Sequence, residues 1–79
     1  MKLIIFGSTG SVGRHIVKQA LQQGHEVTAF ARKPEALNIT HKRLSIFVGD
    51  VYDRSLVTQA MKDQDAALIT LGSSKLTGD

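Results

Sequence analysis

A chain of 79 residues with ten Lys and Arg against seven Asp and Glu, a formal net charge of +3, 42% apolar and 5% aromatic residues makes one small soluble domain at most. The absence of cysteine excludes a disulfide framework and a Cys-based metal site and is compatible with a reducing cytoplasm. So few aromatics and so modest a charge argue against a nucleic-acid surface, and the apolar run Leu3 to Phe6 is too short for a signal sequence or membrane span.

Leu3-Ile4-Ile5-Phe6 is continuously apolar, the pattern of a strand covered on both faces in a parallel sheet. Gly7-Ser8-Thr9-Gly10-Ser11-Val12-Gly13 follows, and Val12, Ile16, Val17, Ala20 and Leu21 then recur with helical period until Gly24 stops the helix. Glu26 to Ala31 is β-branched and aromatic over strand length, with Arg32 and Lys33 at its end. Pro34 opens a short helical turn through Leu37 in a connection that is otherwise loop. Leu44 to Val48 is the third strand, closed by Gly49-Asp50, and Asp53 is placed to N-cap a helix carrying Leu56, Val57, Ala60 and Met61. Ala66 to Leu71 is the fourth strand, and residues 72–79, without apolar periodicity, are expected to form a flexible tail.

Alternating strands and helices with right-handed crossovers give an α/β fold, a parallel sheet β1-αA-β2-(αB)-β3-αC-β4 in the order 3-2-1-4. Ligands bind such sheets where the strand order reverses, here between the first and fourth strands and directly above Gly7 to Gly13. The glycines suit a phosphate-binding turn of the dinucleotide type. The chain must reverse after the strand, approach a pyrophosphate without a Cβ in the way, and pack its helix close to the sheet. Gly7, Gly10 and Gly13 fill those roles, and the first-turn amides of Ser11, Val12 and Gly13 point at the anion. The spacing is GxxGxxG rather than GxGxxG, and the alternative is a glycine-rich turn that binds nothing. His15, His25 and His41 match no metal-ligand spacing, so no metal site is expected.

With the glycine turn after the first strand, Arg32 ending the second and Gly49-Asp50-Val51 after the third, the chain resembles the short-chain dehydrogenase/reductase superfamily. The resemblance is to its atypical NAD(P)H-binding branch, of the NmrA-like and the flavin and biliverdin reductase types, and to the amino-terminal half only. It implies a partial Rossmann fold, with residues 1–71 an NAD(P)-binding half-domain. It implies that Thr9, Ser11 and Val12 meet the pyrophosphate and that Asp50 and Val51 border the adenine. Arg32, where NAD-preferring members carry an acid, favours the 2′-phosphate of NADP, with Lys33 in support and Arg14 a weaker candidate. A solvated basic turn is the alternative for Arg32 and Lys33. Leu71, Gly72 and Ser73 would neighbour the nicotinamide ribose, unless that stretch is an ordinary terminus.

Catalytic residues are not identifiable. Many relatives use a tyrosine with a lysine four residues on, but the one tyrosine, Tyr52, is followed at that spacing by Leu56. Tyr52 is therefore read as a packing or adenine-side residue, and Asp63 with Asp65 as a helix-end turn. No partner of the fourth strand's outer edge is recognisable, so the sheet is expected to be incomplete. Either the chain is the front half of a longer oxidoreductase, or it covers that edge as a homodimer. A non-catalytic module that senses NAD(P) is the alternative to an enzyme.

Overall fold

The computed structural model describes residues 1–7 and 10–70. The elements are β1 (Lys2–Phe6), α1 (Ser11–Gln22), β2 (Glu26–Ala31), a 3-10 turn (Pro34–Ala36), β3 (Leu44–Val48), α2 (Arg54–Met61) and β4 (Ala66–Ile69). All strand pairs are parallel and the order is β3-β2-β1-β4, the expected arrangement.

β1 lies at the centre because its residues from Leu3 to Phe6 are apolar in both directions, and alternation sends them to two separate cores. Leu3 and Ile5 join Val17, Ala20 and Leu21 of α1 and Val27 of β2 on one face. Ile4 and Phe6 join Phe30 and Ala60 on the other, with Phe47, Leu56 and Val57 packed against them. Phe30 links three strands on that face. Its ring lies 5.0 Å from Phe6 and 5.5 Å from Phe47, the second pair nearly parallel.

The helix ends follow local chemistry. Gly24 adopts φ +89°, and the His25 and Gly24 amides donate to the carbonyls of Ala20 and Leu21, a Schellman closure of α1. Asp53 caps α2 through Oδ1, which accepts the Leu56 amide at 3.2 Å. Asp65, read from sequence as part of a helix-end turn, also pins β4 to β1. Its carboxylate accepts the Lys2 amide at 2.7 Å and its own amide donates to the Lys2 carbonyl at 2.7 Å.

Three details depart from the sequence reading. β4 ends at Ile69 instead of Leu71, because its partner β1 ends opposite at Phe6 and gives way to the Gly7 turn; Leu71 lies outside the described residues. Val12 is 57% exposed, since the buried stripe of α1 begins only at Gly13. Leu37, at the end of the short turn, is fully buried in a connection that carries no periodic signal. On β4, Leu68 and Ile69 remain exposed. Among the described residues no helix is long and apolar enough to cross a membrane, and no cluster of His, Asp and Glu is placed to hold a metal ion.

Candidate dinucleotide-binding site

Gly7 leaves β1 at φ +77°, in the left-handed region, and a Cβ there would collide with the carbonyl oxygen of Thr70 and stand 2.7 Å from its hydroxyl. Thr70 is the residue that fastens this turn. Its amide donates to the Phe6 carbonyl at 3.0 Å, and its hydroxyl is shared between the carbonyls of Phe6, at 3.1 Å, and Gly7, at 2.9 Å. Sequence reasoning passed over Thr70. The only signal was positional, since with the strand order fixed it falls opposite Gly7.

Gly10 differs from Gly7. Its dihedrals, φ −74° and ψ 166°, suit any residue, and an added Cβ would meet only the Gly7 carbonyl, at 3.7 Å, among the described residues. Nothing among the described residues therefore requires glycine at this position. The Gly10 amide closes the turn on the Gly7 carbonyl at 3.3 Å, and its own carbonyl accepts the Arg14 amide at 2.9 Å to start α1. Gly10 has no side chain with which to cap the amides of Ser11, Val12 and Gly13, and no acidic residue stands in the first turn. A helix start left this way is complementary to an anion. Ser11 and Val12 are exposed and Gly13 is buried. Arg14 is half-buried, and its Nε is shielded from solvent without an acceptor among the described residues. Thr9 lies outside the described residues.

The carboxyl ends of β2 and β3 complete the same side. Arg32 and Asp50 form an ion pair at 3.8 Å with side chains 72% and 43% exposed, worth at most about 1 kcal/mol at such exposure. The second oxygen of Asp50, Oδ1, accepts the Tyr52 amide at 2.9 Å, and its carbonyl accepts the Asp53 amide at 2.9 Å, which folds the loop into α2. Gly7, Arg32, Asp50 and Val51 thereby line one groove of about 230 Å³ together with Phe30 and Tyr52. Tyr52 is 89% exposed, which speaks against its reading as a packing residue. Lys33 is exposed and is not among the groove's lining; Leu71, Gly72 and Ser73 lie outside the described residues.

An apolar hollow of about 420 Å³ adjoins the groove on the α2 side and shares Gly7 and Val51 with it; Met61, Ala67 and Ile69 form its outer wall. A polar hollow of about 280 Å³ opens at the opposite ends of the strands, among Lys2, Glu26, Lys42 and Asp63. Charges of both signs line it and no glycine turn reaches it, so it does not compete as the dinucleotide site.

Comparison with known proteins agrees with this geometry. Residues 7–79 match the NAD(P)H-binding family. The chain is 27% identical to an isoflavone reductase homologue of Zea mays over 95% of its own length and 27% of that protein's. It superposes with a TM-score of 0.81 on a Rossmann-fold NAD(P)-binding family protein from Shigella flexneri, at 29% identity, covering 92% of this chain and 38% of that one. The Bordetella bronchiseptica enzyme WbmH, solved in complex with NAD+, gives a TM-score of 0.79 at 31% identity, covering 94% of this chain and 26% of the enzyme. The chain spans about a quarter to a third of the length of the curated relatives it matches. A family match that runs from the first glycine of the turn through every later element shows that the chain belongs to the NAD(P)H-binding family.

Proposed function

We propose that this chain is the cofactor-binding half of a cytoplasmic oxidoreductase similar to the short-chain dehydrogenases/reductases, that it prefers NADP(H), and that its substrate-binding half lies in residues beyond those given. The observation that carries the reading is the single groove in which the Gly7 turn, Arg32 and Asp50 meet, next to a helix whose N-cap, Gly10, has no side chain to satisfy its first amides. Gly10 makes the fit test specific, because among the described residues only the Gly7 carbonyl, 3.7 Å away, borders the space that its missing Cβ leaves open.

The bound cofactor supplies hydride transfer, and the chain supplies binding and orientation. In this proposal the amides of Ser11, Val12 and Gly13, with Thr9, hold the pyrophosphate. Arg32, assisted by Lys33, holds the 2′-phosphate. Asp50 and Val51 border the adenine, and Leu71 and Gly72 stand near the nicotinamide ribose. The exposed edge of β4 and the apolar hollow beside it are where further strands and a helix of the same protein would dock; a second copy of the chain is the alternative occupant.

Parallel calorimetric titrations with NADPH and NADH test binding and preference together. A charge-assisted contact of about 1.5–3 kcal/mol makes NADPH the tighter ligand by about 10- to 100-fold. Arg32→Asp should reverse the order; a ratio that does not move removes the preference for NADP(H). Amide resonances of Ser11 to Gly13 that stay fixed during titration of the folded protein would remove the dinucleotide site itself.

A further inference from the structure

We infer that Asp50 is an internal counter-anion for Arg32, so that a 2′-phosphate must displace a carboxylate before it reaches the guanidinium, and that Asp50 thereby sets how strongly the site distinguishes NADPH from NADH. The inference rests on the proposed role of Arg32 and adds a regulator to it.

The geometry gives the two oxygens of Asp50 separate tasks. Oδ1 is held by the Tyr52 amide at 2.9 Å, within a loop that the Asp53 amide closes on the Asp50 carbonyl. That tie fixes the direction of the carboxylate, and Oδ2 then faces Arg32 Nη1 at 3.8 Å across the groove mouth. At that separation the contact is an ion pair without a hydrogen bond, so it steers the guanidinium toward the groove and leaves its donors free. Arg32 stands one residue past Ala31 at the end of β2 and Asp50 two residues past Val48 at the end of β3, and Ala31 and Val48 are paired in the ladder, so their approach is set by the sheet. A dinucleotide carrying a 2′-phosphate brings a second anion to this place. It both breaks the existing pair and stands beside a carboxylate that the Tyr52 amide prevents from swinging away. A dinucleotide with a 2′-hydroxyl meets neither penalty, so Asp50 lowers the NADPH:NADH affinity ratio that Arg32 raises.

The test is a double-mutant cycle read as that ratio. Asp50→Asn keeps an Oδ1 acceptor for the Tyr52 amide, so the loop retains its closure while the charge is removed. The expected result is a rise of about 1.5- to 5-fold in the ratio, the span of an exposed ion pair, with Arg32 present. In an Arg32→Gln background the same change should leave the ratio where it is. A ratio that stays level or falls in Asp50→Asn overturns the inference, as does an equal rise without Arg32 or a loss of both coenzymes. Arg32→Gln alone separates the two levels: no change in the ratio on that substitution defeats the NADP(H) reading, whereas a change there with none in Asp50→Asn defeats only the role given to Asp50.

Discussion

Thr70 and Gly7 are in such close contact that the carbonyl oxygen of one occupies the place where the other would carry a Cβ. The Thr70 hydroxyl reinforces the contact by donating toward the Gly7 carbonyl at 2.9 Å. The first residue after β4 and the first after β1 therefore form one joint, and the Gly7 turn is braced by a residue more than sixty positions away.

Gly7→Ala should accordingly damage the fold before it damages binding. The left-handed backbone alone costs a residue with a Cβ about 1–2 kcal/mol, and the collision with backbone oxygen adds to that because neither strand can withdraw. A small domain has only several kcal/mol in reserve, so thermal unfolding followed by circular dichroism should show a broad loss of stability. Thr70→Val, which keeps the shape and removes the hydroxyl, should cost about 1 kcal/mol. A Gly7→Ala protein that melts with the unsubstituted chain would show that the turn is not braced this way.

Gly10→Ala should do the reverse. With ordinary dihedrals and, among the described residues, only an ordinary contact with the Gly7 carbonyl where the Cβ would go, its effect on unfolding should stay within about 0.5 kcal/mol. In the proposed binding mode the added methyl stands where the pyrophosphate approaches the first turn, so affinity for both coenzymes should fall at least about tenfold, equivalent to about 1.4 kcal/mol. Melting and titration of the same sample separate the two effects. Unchanged affinity would mean that the phosphates pass elsewhere.

Much of this was legible in the sequence because the signals were local. The bounds of β2 and β3 follow from apolar and β-branched runs between Gly24-His25 and Arg32, and between Arg43 and Gly49. Gly24 and Asp53 mark helix ends through backbone chemistry that acts within a few residues. What was not legible depends on partners far along the chain. The end of β4 is set by where β1 ends, and the brace at Thr70 by a glycine at the end of the neighbouring strand, 63 residues earlier in the chain. Within the site, Arg32 and Asp50 were readable as separate candidates. Their meeting was not, since it follows from the register that pairs Ala31 with Val48.

The cap of α2 gives a prediction about stability that is independent of any ligand. Asp53→Ala removes the acceptor of the Leu56 amide and should cost about 1 kcal/mol, with Asp53→Ser or Asp53→Asn recovering most of it. Because Leu56 and Ala60 of this helix pack on the face built around Phe30, the loss should appear in global unfolding and not as fraying alone. Chemical denaturation with an unchanged slope and a lower midpoint would meet the expectation; no shift would show that the cap is idle.

Asp63 offers a stabilising change. It follows α2 at φ +66°, a conformation that costs a side chain about 1–2 kcal/mol, and its carboxylate makes no hydrogen bond or ion pair among the described residues. Asp63→Gly relieves that strain at the expense of a more flexible unfolded chain, leaving a net gain of about 0.5–1 kcal/mol. A rise in melting temperature of a few degrees is expected for a domain of this size. A fall would mean that the carboxylate has a role that the backbone does not reveal.

The face of β4 supplies the last test. Ile69 is 68% exposed on the side of the sheet that α2 covers only in part, and Leu68 is 39% exposed on the other. An apolar strand edge in this state is a template for pairing with additional strands, whether of the same protein or of a second copy. Ile69→Lys should leave the unfolding of this domain within about 0.5 kcal/mol, since little burial is lost, and a lysine on an edge strand opposes pairing. Sedimentation velocity across a range of concentrations then reads the outcome. Association of these 79 residues that weakens on Ile69→Lys identifies β4 as the surface through which copies meet, while association that is indifferent to the substitution removes β4 from that role.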